Sequence, residues 1–149
     1  MKSPTKKVAF DITIDVSPAT IIRAFSEPEL LKGWWGVERS LIELRQGGPY
    51  TLAWQISDQG FGYVSSGVVR RYVPERELDV GHMVYLNPGR AILGPMSLTV
   101  RTEPADGGAS LHVIQDGYQS GGDWDWYYQA VVEAWPQALK GLKAFLEAL

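Results

Sequence analysis

The sequence has no cysteine. Without cysteine, disulfide bonds, thiolate ligands for a metal and a cysteine nucleophile are all excluded. Positive charge is not in excess either, because 14 lysine and arginine residues stand against 17 aspartate and glutamate residues, a formal net charge of −3. A chain of this charge does not produce the positive field that binding to nucleic-acid phosphates requires, so we expect no nucleic-acid partner.

Long apolar runs are missing as well. No segment approaches the ~18 consecutive apolar residues of a membrane span, so we expect none. The first residues, MKSPTKKVAF, lack the apolar core of a signal peptide. These features predict a cytoplasmic protein, and a length of 149 residues predicts a single domain over residues 1–149.

What the chain does contain is regular periodicity. Residues 8–16 alternate between apolar and polar side chains, which is typical of a half-buried strand. Ser17 and Pro18 then predict the start of a short helix, with serine as its N-cap and proline in its first turn. Pro28 predicts a second short helix, which we expect to end near Gly33.

The middle and the end of the chain differ in period. From about Val37 to Tyr118, short apolar segments alternate with turn signals such as Gly47-Gly48-Pro49, which predicts six strands in an antiparallel meander. After Asp123, a predicted N-cap, apolar residues recur every three or four positions as far as Leu149. This spacing predicts one long C-terminal helix.

Together these elements predict an α+β fold with two short helices after the first strand. The order is that of the helix-grip arrangement, in which a curved antiparallel sheet of about seven strands wraps round a long C-terminal helix. Such a sheet is concave, and the helix does not fill it completely. We therefore expect an internal cavity between the sheet and the helix.

Several stretches carry a family resemblance in the right order along the chain: AFSEPELLKGWWG, LRQGGPYTL, GVVRRYVPERELDV and GGASLHVIQDGY. They resemble the family of activator-of-heat-shock-ATPase homologues, within the START-like (SRPBCC) superfamily. The chain departs from the family at His82, where relatives often carry tryptophan. It departs again at residues 114–118, where a thr-his-ser-gly-phe pattern reads Ile-Gln-Asp-Gly-Tyr. Because both positions are expected to face the cavity, a relative's ligand does not transfer directly.

The elements that surround the expected cavity are rich in aromatic residues. Aromatic side chains bury a large apolar area, and tryptophan and tyrosine also carry a polar tip that can orient a ligand. The alternative is that these rings simply make up the hydrophobic core. On the ligand interpretation, we expect the cavity to be lined by Trp35, Trp54, His82, Gln115, Trp124, Tyr128 and Trp135.

The stretch GWWG places two of these indoles side by side between glycines. Because adjacent residues do not face the same way, we expect Trp35 to border the cavity and Trp34 to pack away from it. The flanking glycines would permit a sharp exit from the second helix.

Few ionisable residues are candidates for a functional site. His82 is in phase with Val80 and should point inward, as a core histidine or as a group that acts on a ligand. His112 is out of phase with its strand and should face solvent on the opposite side of the sheet. Since no third ligand is in phase, we expect no metal site and no cofactor. Arg70 and Arg71 are adjacent, so we expect one of them to point inward.

The first functional interpretation is a non-catalytic domain that binds a small hydrophobic or amphipathic molecule. The resemblance implies two others: a co-chaperone that docks on a heat-shock ATPase, or a cyclase- or hydrolase-like enzyme with His82 as acid or base. We rank the chaperone partner lower, because the chain has no obvious docking segment. No triad, paired carboxylate or phosphate loop is evident, which argues against catalysis. Valine- or tyrosine-rich exposed faces would suit a homodimer.

Overall fold

Antiparallel strands make up most of the computed structural model, which describes residues 5–149. In chain order, the elements are β1 (Lys6–Ile14), α1 (Pro18–Ala24), α2 (Pro28–Trp35), β2 (Arg39–Ile42), β3 (Pro49–Trp54), β4 (Tyr63–Val73), β5 (Glu77–Leu86), β6 (Leu93–Ala105), β7 (Gly108–Tyr118) and α3 (Asp123–Glu147). The strands form one seven-stranded sheet in the order β1-β7-β6-β5-β4-β3-β2. The predicted α+β helix-grip fold is confirmed.

The two short helices have the local signals that the sequence predicted, with one shift. The Ser17 hydroxyl accepts a hydrogen bond from the Thr20 backbone N–H at 3.3 Å, so it caps α1. Helix α2 passes through Gly33 and ends at Trp35, because the left-handed residue that terminates it is Gly36, with φ of 73°.

The C-terminal ends of α1 and α2 are held by side-chain donors from buried aromatic residues. The Trp34 indole donates to the Ala24 carbonyl at 2.8 Å, and the Tyr50 hydroxyl donates to the Phe25 carbonyl at 2.5 Å. The Trp54 indole donates to the Trp35 carbonyl at 3.0 Å. These carbonyls lie where a helix has no further N–H groups to bind them, so the side chains supply the missing donors.

Helix α3 lies along the concave face of the sheet. Its buried residues recur at helical spacing and end in a leucine series, Leu139, Leu142 and Leu146, that fills the C-terminal part of the interior. The helix begins at Asp123, but the N-cap position is Gly122 and no side chain caps it. The prediction that Asp123 is the N-cap is therefore wrong.

A bulge in β5 reverses the expected orientation of His82. Val80 pairs with Leu98 and Met83 pairs with Met96, so two residues of β5 lie opposite one residue of β6. His82 takes the left-handed conformation there, with φ of 52°, and its side chain is exposed on the outer face. The prediction that His82 points inward is wrong, because the inserted residue shifts the alternation by one position.

A second irregularity corrects the prediction for the adjacent arginines. Val69 pairs with Val80 and Arg71 pairs with Asp79, which leaves Arg70 as an extra residue in β4. Both arginines are exposed, and neither points inward. The Arg70 guanidinium lies 2.8 Å from the Asp79 carboxylate on the outer face.

His112 lies on the outer face of the sheet, as predicted, and it shares that face with His82. The Nδ1 atom of its ring donates to the Asp11 carboxylate, and Nε2 lies 3.2 Å from the Glu103 carboxylate. The hydrogen bond to Asp11, helped by the one to Glu103, raises the pKa of His112 above its usual value of 6.5. The expectation that the two histidines lie on opposite faces is wrong, because of the bulge at His82.

This raised pKa predicts a pH-dependent contribution to stability. A histidine whose pKa is higher in the folded state stabilises that state fully below its unfolded pKa of about 6.5. The contribution is lost as the pH rises through the folded pKa. We therefore expect His112→Asn to lower the free energy of unfolding more at pH 5.5 than at pH 9, measured by urea denaturation. A difference between wild type and variant that does not change with pH would contradict the assignment.

Candidate functional site

The candidate site is a cavity of about 390 Å³ between the concave face of the sheet and α3. This volume lies within the range of roughly 300–1,000 Å³ that is typical of ligand pockets. Its lining comes from α2, α3 and the strands β3 to β7, and aromatic side chains form a large part of it. The aromatic residues that line it are Trp35, Trp54, Tyr63, Tyr85, Trp126, Tyr127 and Trp135.

The space exists because α3 presents small side chains at this level. Ala130, Ala134 and Ala138 all line the cavity, and their four-residue spacing places them on one face of the helix. Further along α3, leucine residues take over the inward positions and close the interior. Ala134 is exposed, which locates the mouth of the cavity beside the middle of the helix.

The aromatic wall is a series of rings in mutual contact that runs from α2 across the sheet to α3. The ring centroids of Trp35 and Trp54 are 5.4 Å apart, and those of Trp54 and Tyr63 are 4.9 Å apart. The series continues from Tyr63 to Tyr85 at 6.0 Å and from Tyr85 to Tyr127 at 4.3 Å. Such contacts add about 0.5–1.5 kcal/mol per pair beyond the burial of area, so the wall is held in place before any ligand arrives.

The double tryptophan of GWWG is the α2 end of this wall. Trp35 lines the cavity and Trp34 is buried beneath it, and the two indoles stack at 4.7 Å instead of diverging. Gly33 allows α2 to approach α3, because a β-carbon there would lie 2.4 Å from the Phe145 ring. Gly36 supplies the left-handed turn that ends the helix.

One buried polar cluster interrupts the apolar lining. Gln115, on β7, is 6% exposed, and its Oε1 atom accepts a hydrogen bond from the Trp135 indole at 3.0 Å. The Gln115 Nε2 atom donates to the Tyr127 hydroxyl at 3.5 Å. Burial raises the pKa of the Tyr127 phenol, which therefore stays protonated in the physiological range.

The cavity lining is uncharged. Within residues 5–149, the side chains that line the cavity include no aspartate, glutamate, lysine, arginine or histidine. The polar groups in the lining are the Gln115 amide, the Ser65 hydroxyl, and the hydroxyls and indole N–H groups of the aromatic residues. These groups can donate and accept hydrogen bonds, but none is a strong acid or base at neutral pH.

The predicted site residues divide into two groups. Trp35, Trp54, Gln115 and Trp135 line the cavity, whereas His82, Trp124 and Tyr128 do not. His82 lies on the outer face of the sheet, and its predicted place in the cavity is wrong.

Trp124 and Tyr128 belong to a separate aromatic cluster at the start of α3. Both rings contact Tyr118, with centroid distances of 6.3 Å and 5.3 Å, and the Lys6 ammonium lies 4.8 Å from the centre of the Tyr128 ring. They point toward β1 and β7 because they occupy a different side of α3 from the alanines. Their predicted place in the cavity is therefore wrong as well.

Sequence reasoning missed Tyr63, Tyr85, Trp126 and Tyr127 as lining residues. A regular alternation along β5 would place Tyr85 on the outer face. The bulge at His82 shifts the alternation and turns Tyr85 toward the cavity. For Trp126 and Tyr127, a signal was available. The spacing of the small residues on α3 marks the helix face that leaves space, and Tyr127 lies on that face.

The loop between β5 and β6 is fastened to the rim of the cavity. The Arg90 guanidinium lies 3.7 Å from the centre of the Trp126 ring, and the Asp123 carboxylate accepts a hydrogen bond from the Ala91 backbone N–H at 2.8 Å. The hydrogen bond from Ala91, followed by the one from Arg90, lowers the pKa of Asp123. These contacts hold the indole of Trp126 at the mouth.

The chain matches one protein family along most of its length. The model of the family described as "Activator of Hsp90 ATPase homolog 1-like protein" matches residues 15–147. A comparison with curated proteins gives no match. None of the helices in the described part of the chain has the length and apolar character needed to cross a membrane.

Solved structures of low sequence identity share the fold. A protein from Mesorhizobium loti is 19% identical, with a TM-score of 0.76 and coverage of 96% of this chain and 98% of that one. A protein from Rhodobacter sphaeroides is 21% identical, with a TM-score of 0.75 and coverage of 96% and 93%. A protein of unknown function from Staphylococcus aureus is 15% identical, with a TM-score of 0.74 and coverage of 97% and 95%. At these identities, the likeness concerns the START-like fold alone.

Because Trp54 and Trp35 differ in burial, we expect their replacement by alanine to lower the free energy of unfolding by different amounts. Trp54 is 8% exposed and its indole donates to the end of α2, so we expect Trp54→Ala to lower the free energy of unfolding by about 3–5 kcal/mol. Trp35 is only partly buried at the rim, so Trp35→Ala should cost less, about 1–3 kcal/mol. Chemical denaturation of both variants measures the difference. Equal losses would show that Trp35 is a core residue in the same sense as Trp54.

Proposed function

This chain belongs to the family of activator of Hsp90 ATPase homolog 1-like proteins, and we propose that it binds a small, mainly apolar molecule in the cavity between the sheet and α3. The observation that carries the proposal is the cavity itself, with its continuous aromatic wall opposite the alanines of α3. The cavity has the volume of a ligand site, and its wall is ordered by ring contacts and by the hydrogen bond from Trp54 to the end of α2.

The physical basis for affinity is burial of apolar surface. Each square ångström of apolar ligand surface removed from water contributes about 25 cal/mol. A wall that is already ordered loses little conformational entropy when a ligand binds, and this favours affinity further. The uncharged lining favours ligands whose buried part is uncharged.

The proposal predicts that filling the cavity abolishes binding. Ala138 lines the cavity from α3, so a phenylalanine side chain at this position would occupy the ligand's space. We expect wild type to bind the neutral fluorescent probe N-phenyl-1-naphthylamine with an emission increase and with energy transfer from tryptophan. We expect Ala138→Phe to lower the affinity at least tenfold.

The matched control places the same ring on the opposite side of the helix. Lys140 is exposed and does not line the cavity, and two residues of helix turn it about 200° away from Ala138, so Lys140→Phe should bind the probe as wild type does. Circular dichroism and thermal unfolding verify that both variants are folded. If wild type does not bind the probe, or if both variants bind it equally well, the cavity is not a ligand site.

A second candidate function is activation of a heat-shock ATPase, favoured by the family match over residues 15–147. In this case the protein would bind the chaperone and raise its ATP turnover. The measurement is the steady-state ATPase rate of purified Hsp90 with increasing amounts of this protein. A saturable increase, retained in Ala138→Phe, would support a co-chaperone function independent of the cavity. No change in rate would rule this function out.

An enzymatic function with His82 as acid or base in the cavity does not agree with the structure. His82 lies on the outer face of the sheet, so it does not reach a molecule bound between the sheet and α3. A reaction in this cavity would have to use the uncharged hydroxyl, amide and indole groups of its lining. The proposal is therefore ligand binding without a His82-dependent step.

A further inference from the structure

The donors and acceptors of the buried polar cluster, which consists of Gln115, Tyr127 and Trp135, can be assigned. The Trp135 indole is a hydrogen-bond donor only, so the Gln115 atom that faces it is the carbonyl Oε1. This contact fixes the orientation of the amide, and the Nε2 group turns toward Tyr127. One of the two Nε2 hydrogens serves that contact, and the other has no acceptor among the described residues.

The Tyr127 hydroxyl also has a proton to donate. It accepts the hydrogen bond from Gln115 at 3.5 Å, and within residues 5–149 no acceptor receives its own O–H. Tyr127 is 8% exposed, and burial keeps its phenol protonated. A buried donor without an acceptor is unfavourable, so an acceptor on a bound molecule would stabilise the complex.

The same cluster disfavours a charged group. No charged side chain lines the cavity in the described part of the chain, so a carboxylate or an ammonium bound there would have no counter-ion. Transfer of an unpaired ion from water into such surroundings is strongly unfavourable. A neutral oxygen acceptor satisfies both free donors without this cost.

We propose that the ligand is an uncharged, mainly apolar molecule with an oxygen acceptor, such as a ketone, that takes hydrogen bonds from the Tyr127 hydroxyl and the Gln115 amide. This inference rests on the cavity being the ligand site, as proposed above. Tyr127 and Gln115 are then the specificity-determining residues, and the aromatic wall supplies affinity that does not depend on them.

Three probes with one skeleton test the inference. They are 2-acetylnaphthalene, which carries a neutral acceptor; 2-ethylnaphthalene, which carries none; and 2-naphthoate, which is charged. We expect wild type to bind the ketone roughly 5–150-fold more tightly than the hydrocarbon, the value of two hydrogen bonds. The naphthoate should bind most weakly. Competition with N-phenyl-1-naphthylamine measures all three affinities.

Tyr127→Phe removes the hydroxyl and keeps the ring. We expect it to lower the preference for the ketone roughly 2–10-fold, the value of the lost hydrogen bond, and to leave the affinity for 2-ethylnaphthalene unchanged. Tyr128→Phe is the matched control, because Tyr128 lies on the same helix outside the cavity, and it should retain the preference of wild type. The comparison of probes on wild type does not depend on the folding of either variant.

The outcomes separate this inference from the proposal it rests on. Naphthoate binding as tight as ketone binding would overturn the inference, and so would a ketone preference that is undiminished in Tyr127→Phe. If N-phenyl-1-naphthylamine binds in an Ala138-dependent manner and none of the three naphthalenes competes, the inference fails and the cavity function stands. If no probe binds at all, both fail.

Discussion

The architecture of the site depends on how the C-terminal ends of the two short helices are satisfied. A helix leaves its last carbonyls without intrahelical donors, and here Trp34, Tyr50 and Trp54 provide donors for the ends of α1 and α2. Each donor is also a large buried ring, so one residue both satisfies a carbonyl and fills the core. This double role ties α1 and α2 to β3 and fixes Trp35 at the rim of the cavity.

The opposite wall of the cavity follows from the composition of one helix face. Where α3 carries leucine, the space between helix and sheet is filled; where it carries Ala130, Ala134 and Ala138, the space stays open. A protein interior normally tolerates few voids, because a void loses dispersion contacts on one side. A rigid aromatic wall on one side and a continuous helix on the other prevent the structure from collapsing into the gap. The open volume is thus a property of both walls together.

Much of the fold could be predicted from the sequence because the signals were local. The alternation in β1, the Ser17 cap and the period of α3 each depend on residues close together in the chain. The bulges at Arg70 and His82 could not be predicted in this way. A bulge inserts one residue into a strand, and only the partner strand reveals that the alternation has shifted. The residues around His82 gave no local warning, since only a small fraction of non-glycine residues take the left-handed conformation.

The same distinction explains which site residues were found. Trp54 and Gln115 lie on strands whose alternation is unbroken near them, and both were placed in the cavity correctly. On α3 the prediction weighed large residues and chose Trp124, Tyr128 and Trp135, of which only Trp135 lines the cavity, because an aromatic ring packs equally well on any buried side of a helix. A cavity forms where the side chains that face the interior are too small to fill it. The alanine spacing on α3 therefore carries information about the site that the aromatic residues of this helix do not carry by themselves.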